Sequence, residues 1–85
     1  MNIKEIRMRK ATKEGIVKAF ASINFDDAFV VHGVKVLEKD DKRYVAMPSV
    51  KRPDGKFRDM AHPLNTDVRD MITEAVLAEY DKLEE

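Results

Sequence analysis

The sequence predicts an α+β fold in which a mostly antiparallel sheet of about five strands is followed by one C-terminal amphipathic helix. Two patterns support this prediction. Apolar side chains recur at every second position between residues 17 and 37, which is the period of half-buried strands. Near residue 66 the period changes to that of a helix. Strands in a run followed by a single helix favour an antiparallel sheet over a parallel one.

The first two predicted strands lie within the first 25 residues. In residues 3–10, Ile6 and Met8 alternate with arginines, which indicates a strand. In residues 17–25, one predicted face carries Val17, Ala19, Ala21, Ile23 and Phe25, and the other carries Lys18, Phe20, Ser22 and Asn24. Asp26-Asp27 then predicts a short turn.

The segment from Phe29 to Leu37 is the most β-prone part of the chain. Strict alternation predicts that Val30, Val34 and Val36 share one face with His32. Gly33 predicts a bulge or a close backbone approach within this strand. The apolar composition favours a central position in the sheet. An edge position, from which the strand pairs with a second copy of the chain, is the alternative.

The stretch from Arg43 to Asn65, RYVAMPSVKRPDGKFRDMAHPLN, contains the strongest turn signal. Proline fixes φ and Asp-Gly tolerates tight turns, so Pro53-Asp54-Gly55 predicts a turn that joins two extended segments. The predicted strand at Tyr44–Met47 leads into this region, and a second extended segment runs from residue 56 to 61.

The last segment has the features of a helix of about five turns. Asn65 or Thr66 can cap its start, and the negative charge of Asp67 suits the first turn. The predicted apolar stripe consists of Val68, Met71, Ile72, Ala75, Val76 and Leu83, with Tyr80 beside it. A stripe of this kind must pack against a sheet or a partner.

Length and composition limit the classes of protein to consider. Eighty-five residues predict one domain, residues 1–85, with a small core that association into oligomers can supplement. The chain has no cysteine, which excludes disulfides and thiolate metal sites. It has neither a signal-like apolar run at its start nor a membrane-spanning segment, so we expect a soluble cytoplasmic protein that does not contact membranes.

Charge is unevenly distributed although the formal net charge is zero. Residues 67–85 contain seven acidic and two basic residues, a net charge of −5, so residues 1–66 carry +5. Binding responds to local potential rather than to the total, so this segregation is compatible with a nucleic-acid partner. It is equally compatible with association between copies of the chain.

A cluster of cations around the predicted turn is the candidate site: Lys51, Arg52, Lys56 and Arg58. Arginine and lysine side chains bind phosphate, and residues two apart on a strand share a face, so Lys56 and Arg58 should project together. The alternative is a solvated hairpin whose cations pair with Asp54 and Asp59. Composition alone favours this alternative, because such clusters are common on surfaces.

A second group of basic residues and two aromatic residues are weaker candidates for nucleic-acid binding. Arg7, Arg9 and Lys10 form a second basic face with at most a supporting role. Tyr44 and Phe57 can in principle stack on bases, but their apolar strand patterns favour packing.

The two histidines, His32 and His62, are interpreted as structural residues. His62 has Asp59 and Ser49 nearby in sequence, but spacing alone does not make a triad, so we expect His62 to bond to backbone before Pro63. Two isolated histidines make a poor metal site. We therefore expect no catalytic residues, metal, cofactor or small-molecule substrate.

Several stretches of the chain resemble the SpoVG family of small bacterial proteins. These are FVVHGVKV (29–36), YVAMPS (44–49), KRPDGKFRDMAHPLN (51–65) and EAVLAEY (74–80). The resemblance covers essentially the whole chain in one register, and the run PDG-F-RD-AHP is distinctive.

The resemblance implies a non-enzymatic regulator of septation and sporulation that binds DNA or RNA as a small α+β homodimer. It also implies that Lys51 and Arg52 take part in binding, and it reverses the preference for a merely solvated hairpin. The acidity of the helix here leaves the preferred nucleic-acid sequence open. The alternative is an adaptor that contacts division or transcription proteins through Glu74, Glu79 and Asp81 on the helix.

Overall fold

The computed structural model describes residues 1–84 and confirms the α+β prediction. Its elements are β1 (Ile3–Lys10), β2 (Val17–Phe25), β3 (Phe29–Lys39), β4 (Lys42–Ala46), β5 (Ser49–Lys51), β6 (Phe57–Asp59) and α1 (Thr66–Glu84). Strands β1 to β4 form one antiparallel sheet in sequence order, and β5 pairs with β6 in a separate two-stranded ribbon. The described residues thus contain six strands rather than about five, because the turn at residues 53–55 has a short strand on each side.

The hydrophobic core lies between one face of the four-stranded sheet and helix α1, which packs on β1, β3 and β4. Its buried members are Ala19, Ala21, Ile23, Phe25, Val34, Val36, Ile72, Val76 and Tyr80. The alternation predicted for β2 and the helical stripe are therefore confirmed. No described helix or strand packs on the opposite face of the sheet, which we call the open face.

Strand β3 departs from strict alternation at Gly33, where the predicted bulge and the predicted close approach both occur. Its register against β2 shifts by one residue between Val34 and Val31. Gly33 has φ of +83°, and a Cβ built there would lie 3.4 Å from Cβ of Pro48. The extra residue reverses the parity of the strand, so Val31 packs against the core while Val30 and His32 are exposed. The prediction that Val30 and His32 share a face with Val34 and Val36 was wrong for this reason.

Strand β3 is central, with β2 on one side and β4 on the other. The edge alternative for this strand is therefore wrong, because both of its ladders are occupied within the chain. A turn of two residues, Asp40-Asp41, joins β3 to β4, and both have positive φ. Such turns match the twist of a hairpin, and aspartate tolerates this conformation better than most residues. Strands β3 and β4 therefore extend to Lys39 and from Lys42, within the charged segment 38–42.

Helix α1 begins at the cap that the sequence proposes. The Oδ1 atom of Asn65 accepts a 2.8 Å hydrogen bond from the backbone N–H of Val68, so Asn65 and not Thr66 is the capping residue. The charged residues of the helix lie mainly on its outer face. Across residues 1–84, the length and apolar character that a membrane-crossing helix needs are not found together in any helix.

Candidate nucleic-acid interface

The four candidate cations lie on the β5–β6 hairpin, residues 49–59, which we call the basic hairpin. The N–H of Gly55 donates a 2.9 Å hydrogen bond to the carbonyl of Arg52, and the N–H of Arg52 donates a 2.6 Å bond to the carbonyl of Lys56. Gly55 has φ of +86°, a conformation that glycine adopts without a steric penalty. At the base, the N–H of Met60 donates a 2.7 Å bond to the carbonyl of Pro48. The predicted turn between two extended segments is therefore confirmed.

The pairing register sorts the cations between the two faces of the ribbon. Arg58 lies opposite Val50, and Lys51 lies opposite Phe57, so these two pairs project from opposite faces. Arg52 and Lys56 follow the Val50–Arg58 pair towards the turn and extend its face. Three cations therefore share one face, as expected for Lys56 and Arg58, while Lys51 lies on the other.

The cations of the basic hairpin are exposed and unpaired. Every residue from 49 to 59 is exposed, and no described carboxylate forms an ion pair with any of the four cations. Asp54 instead accepts a 3.0 Å hydrogen bond from the backbone N–H of Lys56, which braces the turn. Asp59 pairs with Ser49 across the ribbon, away from the face that carries Arg58. The pairing with Asp54 and Asp59 that would neutralise the cluster is thus not formed in the described part of the chain.

Arg69 is a fifth cation beside this site that sequence reasoning missed. It lines a shallow groove of about 590 Å³ together with Phe57, Arg58, Asp59, Met60 and His62. Arg69 lies in the acidic segment 67–85, whose net charge is negative, so the sequence does not suggest a basic site there. Its position in the first turn of α1, the next element after the hairpin, is the signal that could have identified it.

The two aromatic residues considered for base stacking are both exposed, so the prediction that they pack was wrong. Phe57 is 71% exposed and Tyr44 is 49% exposed. The pattern around Phe57 is that of a strand, but β6 belongs to a ribbon that is not layered on the core. Both faces of that ribbon therefore remain accessible in the single chain.

Comparison with known proteins identifies the family. The SpoVG family model matches residues 1–82, which include the whole basic hairpin and most of α1. The chain belongs to the SpoVG family.

Relatives in this family match along almost their whole length. A protein of Clostridium acetobutylicum is 52% identical over 83 residues, covering 98% of this chain and 87% of the relative. A protein of Clostridium perfringens is 49% identical, covering 98% and 92%. A protein of Thermoanaerobacter pseudethanolicus is 47% identical, covering 100% and 92%. Each of the three bears the name "Putative septation protein SpoVG".

The second basic surface of this SpoVG-family chain lies on β1, and its two arginines make different contacts. Nε of Arg7 donates a 2.7 Å hydrogen bond to Glu5, and this bond raises the pKa of Arg7. The guanidinium of Arg9 instead lies 4.7 Å from the centre of the Phe20 ring. Arg7 and Arg9 occupy equivalent positions in the alternating pattern of β1, but one is engaged by a carboxylate and the other by an aromatic ring.

Part of the acidic surface of α1 is engaged within the chain. Arg43 on β4 donates a hydrogen bond to Asp81, which raises the pKa of Arg43, and its guanidinium lies 5.0 Å from the Tyr80 ring. Glu79 pairs with Lys82 at 3.4 Å, whereas Glu74 is exposed. Two of the three carboxylates on which the adaptor alternative depends thus have partners inside the chain.

Both histidines make the local hydrogen bonds expected of structural residues. Nδ1 of His62 donates a 3.0 Å bond to the carbonyl of Pro63, at the junction between the hairpin and the helix. A 2.8 Å bond joins Nδ1 of His32 and the hydroxyl of Ser22 on the open face.

Proposed function

We propose that this chain is a bacterial regulator that binds DNA or RNA through the basic hairpin, acts as a homodimer and influences septation. The proposal places it in the cytoplasm, where its nucleic-acid partners are. The observation that carries it is a set of four exposed cations, on a hairpin of a SpoVG-family chain, that form no ion pair with a described residue. The names of the relatives supply the connection with septation.

The chemistry of the basic hairpin suits a phosphate backbone. Arginine engages a phosphate through two N–H donors at once, and lysine follows it as a mobile charge. The exposed face with Arg52, Lys56 and Arg58 presents three such groups, and none of them forms an ion pair with a described carboxylate. These contacts position a nucleic acid and give salt-dependent affinity, whereas sequence selection requires additional contacts to bases.

Two copies of the hairpin bind better than one. A single cluster of four cations contacts few phosphates and binds weakly at physiological salt. In a dimer, the second hairpin binds at the high effective concentration that the first one creates. The formal neutrality of the whole chain also means that binding depends on this local cluster.

Titration of the purified protein with random-sequence DNA and RNA at two salt concentrations tests the proposal. The Lys51→Ala/Arg52→Ala double variant should weaken binding by about tenfold or more, because charge-assisted hydrogen bonds are lost. The slope of log affinity against log salt should fall by about one for each lost phosphate contact. The weakening should be similar for all sequences.

The matched control is Lys42→Ala, which removes an exposed positive charge at the β3–β4 turn, away from the hairpin. Lys42→Ala should change the affinity for nucleic acid far less than the Lys51→Ala/Arg52→Ala double variant does. Thermal unfolding of each variant must show that the fold is retained. Unchanged affinity and salt slope in the double variant would reject the basic hairpin as the binding site. Absence of salt-dependent binding together with protein capture that depends on Glu74 would favour the adaptor instead.

A further inference from the structure

The open face of the four-stranded sheet contains a groove that the hairpin proposal does not use. One part of the groove has a volume of about 340 Å³ and is lined by residues of β1, β2 and β3, among them Arg7, Arg9, Phe20, Ser22 and His32. A second part of about 270 Å³ continues along the same strands and shares Arg7, Ser22 and His32 with the first. Volumes of this order accommodate small organic groups such as a nucleobase.

The charges in the groove are not balanced within the described chain. Glu5 is neutralised by Arg7, with which it forms a 2.7 Å ion pair. Arg9 forms no ion pair with a described residue. Lys35 does not line the groove, but it lies directly across from Phe20 in the register of β2 and β3. The net positive charge of the groove complements an anionic occupant. Two copies packed open face to open face would bring these cations together, which disfavours a second copy as the occupant.

Arg9 lies over an aromatic ring of the neighbouring strand. Its guanidinium lies over the half-buried Phe20 ring at 4.7 Å, and this contact orients a group that would otherwise be mobile. Arg9 is exposed, so the side of its guanidinium that faces away from the ring is accessible to a ligand. Proteins stack unpaired nucleobases on such planes and donate hydrogen bonds from their edges to phosphates.

We propose that the open face binds a single-stranded segment of DNA or RNA, with a base stacked on the Arg9–Phe20 pair and a neighbouring phosphate near Lys35. This inference rests on the proposed function and extends it, since the basic hairpin contacts only backbone charge. The bases of a duplex are stacked inside the double helix, so none of them is available to stack on the Arg9–Phe20 pair. The protein therefore discriminates single strands from duplexes on the open face and gains general affinity from the hairpin.

Fluorescence anisotropy with a labelled 12-nucleotide single strand and the corresponding duplex tests this inference. Arg9→Lys retains the charge but removes the planar group. It should weaken single-strand binding by about tenfold, the effect of losing one stacked base, and leave duplex binding within about twofold. Phe20→Leu, which removes the support of the guanidinium, should act in the same direction. Arg9→Lys decides the question alone if Phe20→Leu does not fold.

The matched control is Arg43→Lys on β4, which also removes a guanidinium held over an aromatic ring, that of Tyr80 at 5.0 Å, but at a position that does not line the groove. It should leave the ratio of single-strand to duplex affinity unchanged. Equal effects of Arg9→Lys on both forms, or none on either, would overturn the inference. So would binding of uridine monophosphate as tight as that of the 12-nucleotide strand, because the site would then hold a free nucleotide.

Failure of this inference differs from failure of the proposed function. If Lys51→Ala/Arg52→Ala weakens both nucleic-acid forms while Arg9→Lys alters neither, the hairpin proposal holds and the open-face proposal is rejected. If Arg9→Lys lowers only single-strand affinity and the hairpin variant lowers none, the open face is the nucleic-acid site and the hairpin is not. A shift of Phe20→Leu from dimer to monomer with unchanged single-strand binding would identify the open face as a subunit interface and reject the inference.

Discussion

Asn65 shows how one side chain sets the boundary between the hairpin region and the helix. Its Oδ1 atom satisfies the backbone N–H of Val68, which has no partner inside the first turn of α1. Asn65→Ala should therefore lower the free energy of unfolding by about 1 kcal/mol, with a fall in Tm of about 4–8 °C for a domain of this size. Urea and thermal denaturation monitored by circular dichroism measure both quantities.

Thr66→Ala provides the control for this prediction, because Thr66 is the other candidate cap and is the first residue of the helix. Alanine has the higher helix propensity, so the substitution should be close to neutral or slightly stabilising. Asn65→Asp should retain stability, since its carboxylate accepts the same hydrogen bond and suits the positive end of the helix dipole. A larger loss for Thr66→Ala than for Asn65→Ala would contradict the assignment of the cap.

The arginines show which residue-level features a sequence leaves undetermined. Arg7 bonds to Glu5, Arg9 lies over Phe20, and Arg43 bonds to Asp81 at a separation of 38 residues. The contact to Asp81 raises the pKa of Arg43, so the stabilising effect of this shift is present below the ordinary pKa of arginine and is lost as the pH rises above that value. These partners depend on strand register and on how the helix is placed, which no local pattern encodes.

At the level of elements, the alternating apolar pattern predicts the buried face correctly in β2 and incorrectly in part of β3. Alternation predicted the buried face of β2 because that face keeps a regular parity from residue 19 to 25. It predicted the wrong face for Val30 because the bulge at Gly33 inserts one residue and reverses the parity. The glycine was a visible signal of a bulge. The direction of the shift required the pairing partner, which the sequence does not contain.

Gly33→Ala tests the requirement for glycine in this bulge. The substitution places a side chain at φ of +83° and 3.4 Å from Cβ of Pro48, at the base of the basic hairpin. The backbone penalty alone is about 1–2 kcal/mol, so we expect a loss of unfolding free energy of at least that order in urea denaturation.

Gly55→Ala is the matched comparison, because φ is +86° there and no atom lies within 4 Å of the added Cβ. Gly55 belongs to the basic hairpin, which contributes no buried side chain, so strain at this position can be relieved by local opening. Its effect on global unfolding should be the smaller of the two. An unchanged free energy of unfolding for Gly33→Ala would show that the bulge is not part of the folded sheet.

The basic hairpin was predictable as an element because its chemistry is local. Pro53, Asp54 and Gly55 specify the turn wherever the chain goes afterwards. Its exposure was not predictable, because the β pattern of Phe57 is the same in a core strand and in a separate ribbon. The contribution of Arg69 was hidden for a related reason, since it depends on how α1 follows the hairpin in space.

For the whole molecule, three of the large exposed apolar side chains lie on or near two grooves that share His62. Phe29 and His62 line an apolar groove of about 270 Å³, and Met60 lines a neighbouring groove that also includes His62. Phe29 is 63% exposed, Met60 is 65% exposed, and Leu64, two residues after His62, is 92% exposed. Concentrations of this kind on a small domain mark surfaces that associate.

In the homodimer that we propose, we expect these side chains to lie in the interface. Sedimentation equilibrium should give a mass of twice 9.8 kDa for the unmodified chain. Phe29→Ser and Leu64→Ser should each raise the dimer dissociation constant by about tenfold or more, because each removes a large apolar group from the contact.

Ile16→Ser is the control, since Ile16 is also exposed but precedes β2, whereas Phe29 follows the far end of that strand. A mass of 9.8 kDa at all concentrations would contradict the dimer, and equal dissociation by Ile16→Ser would contradict the location of its interface.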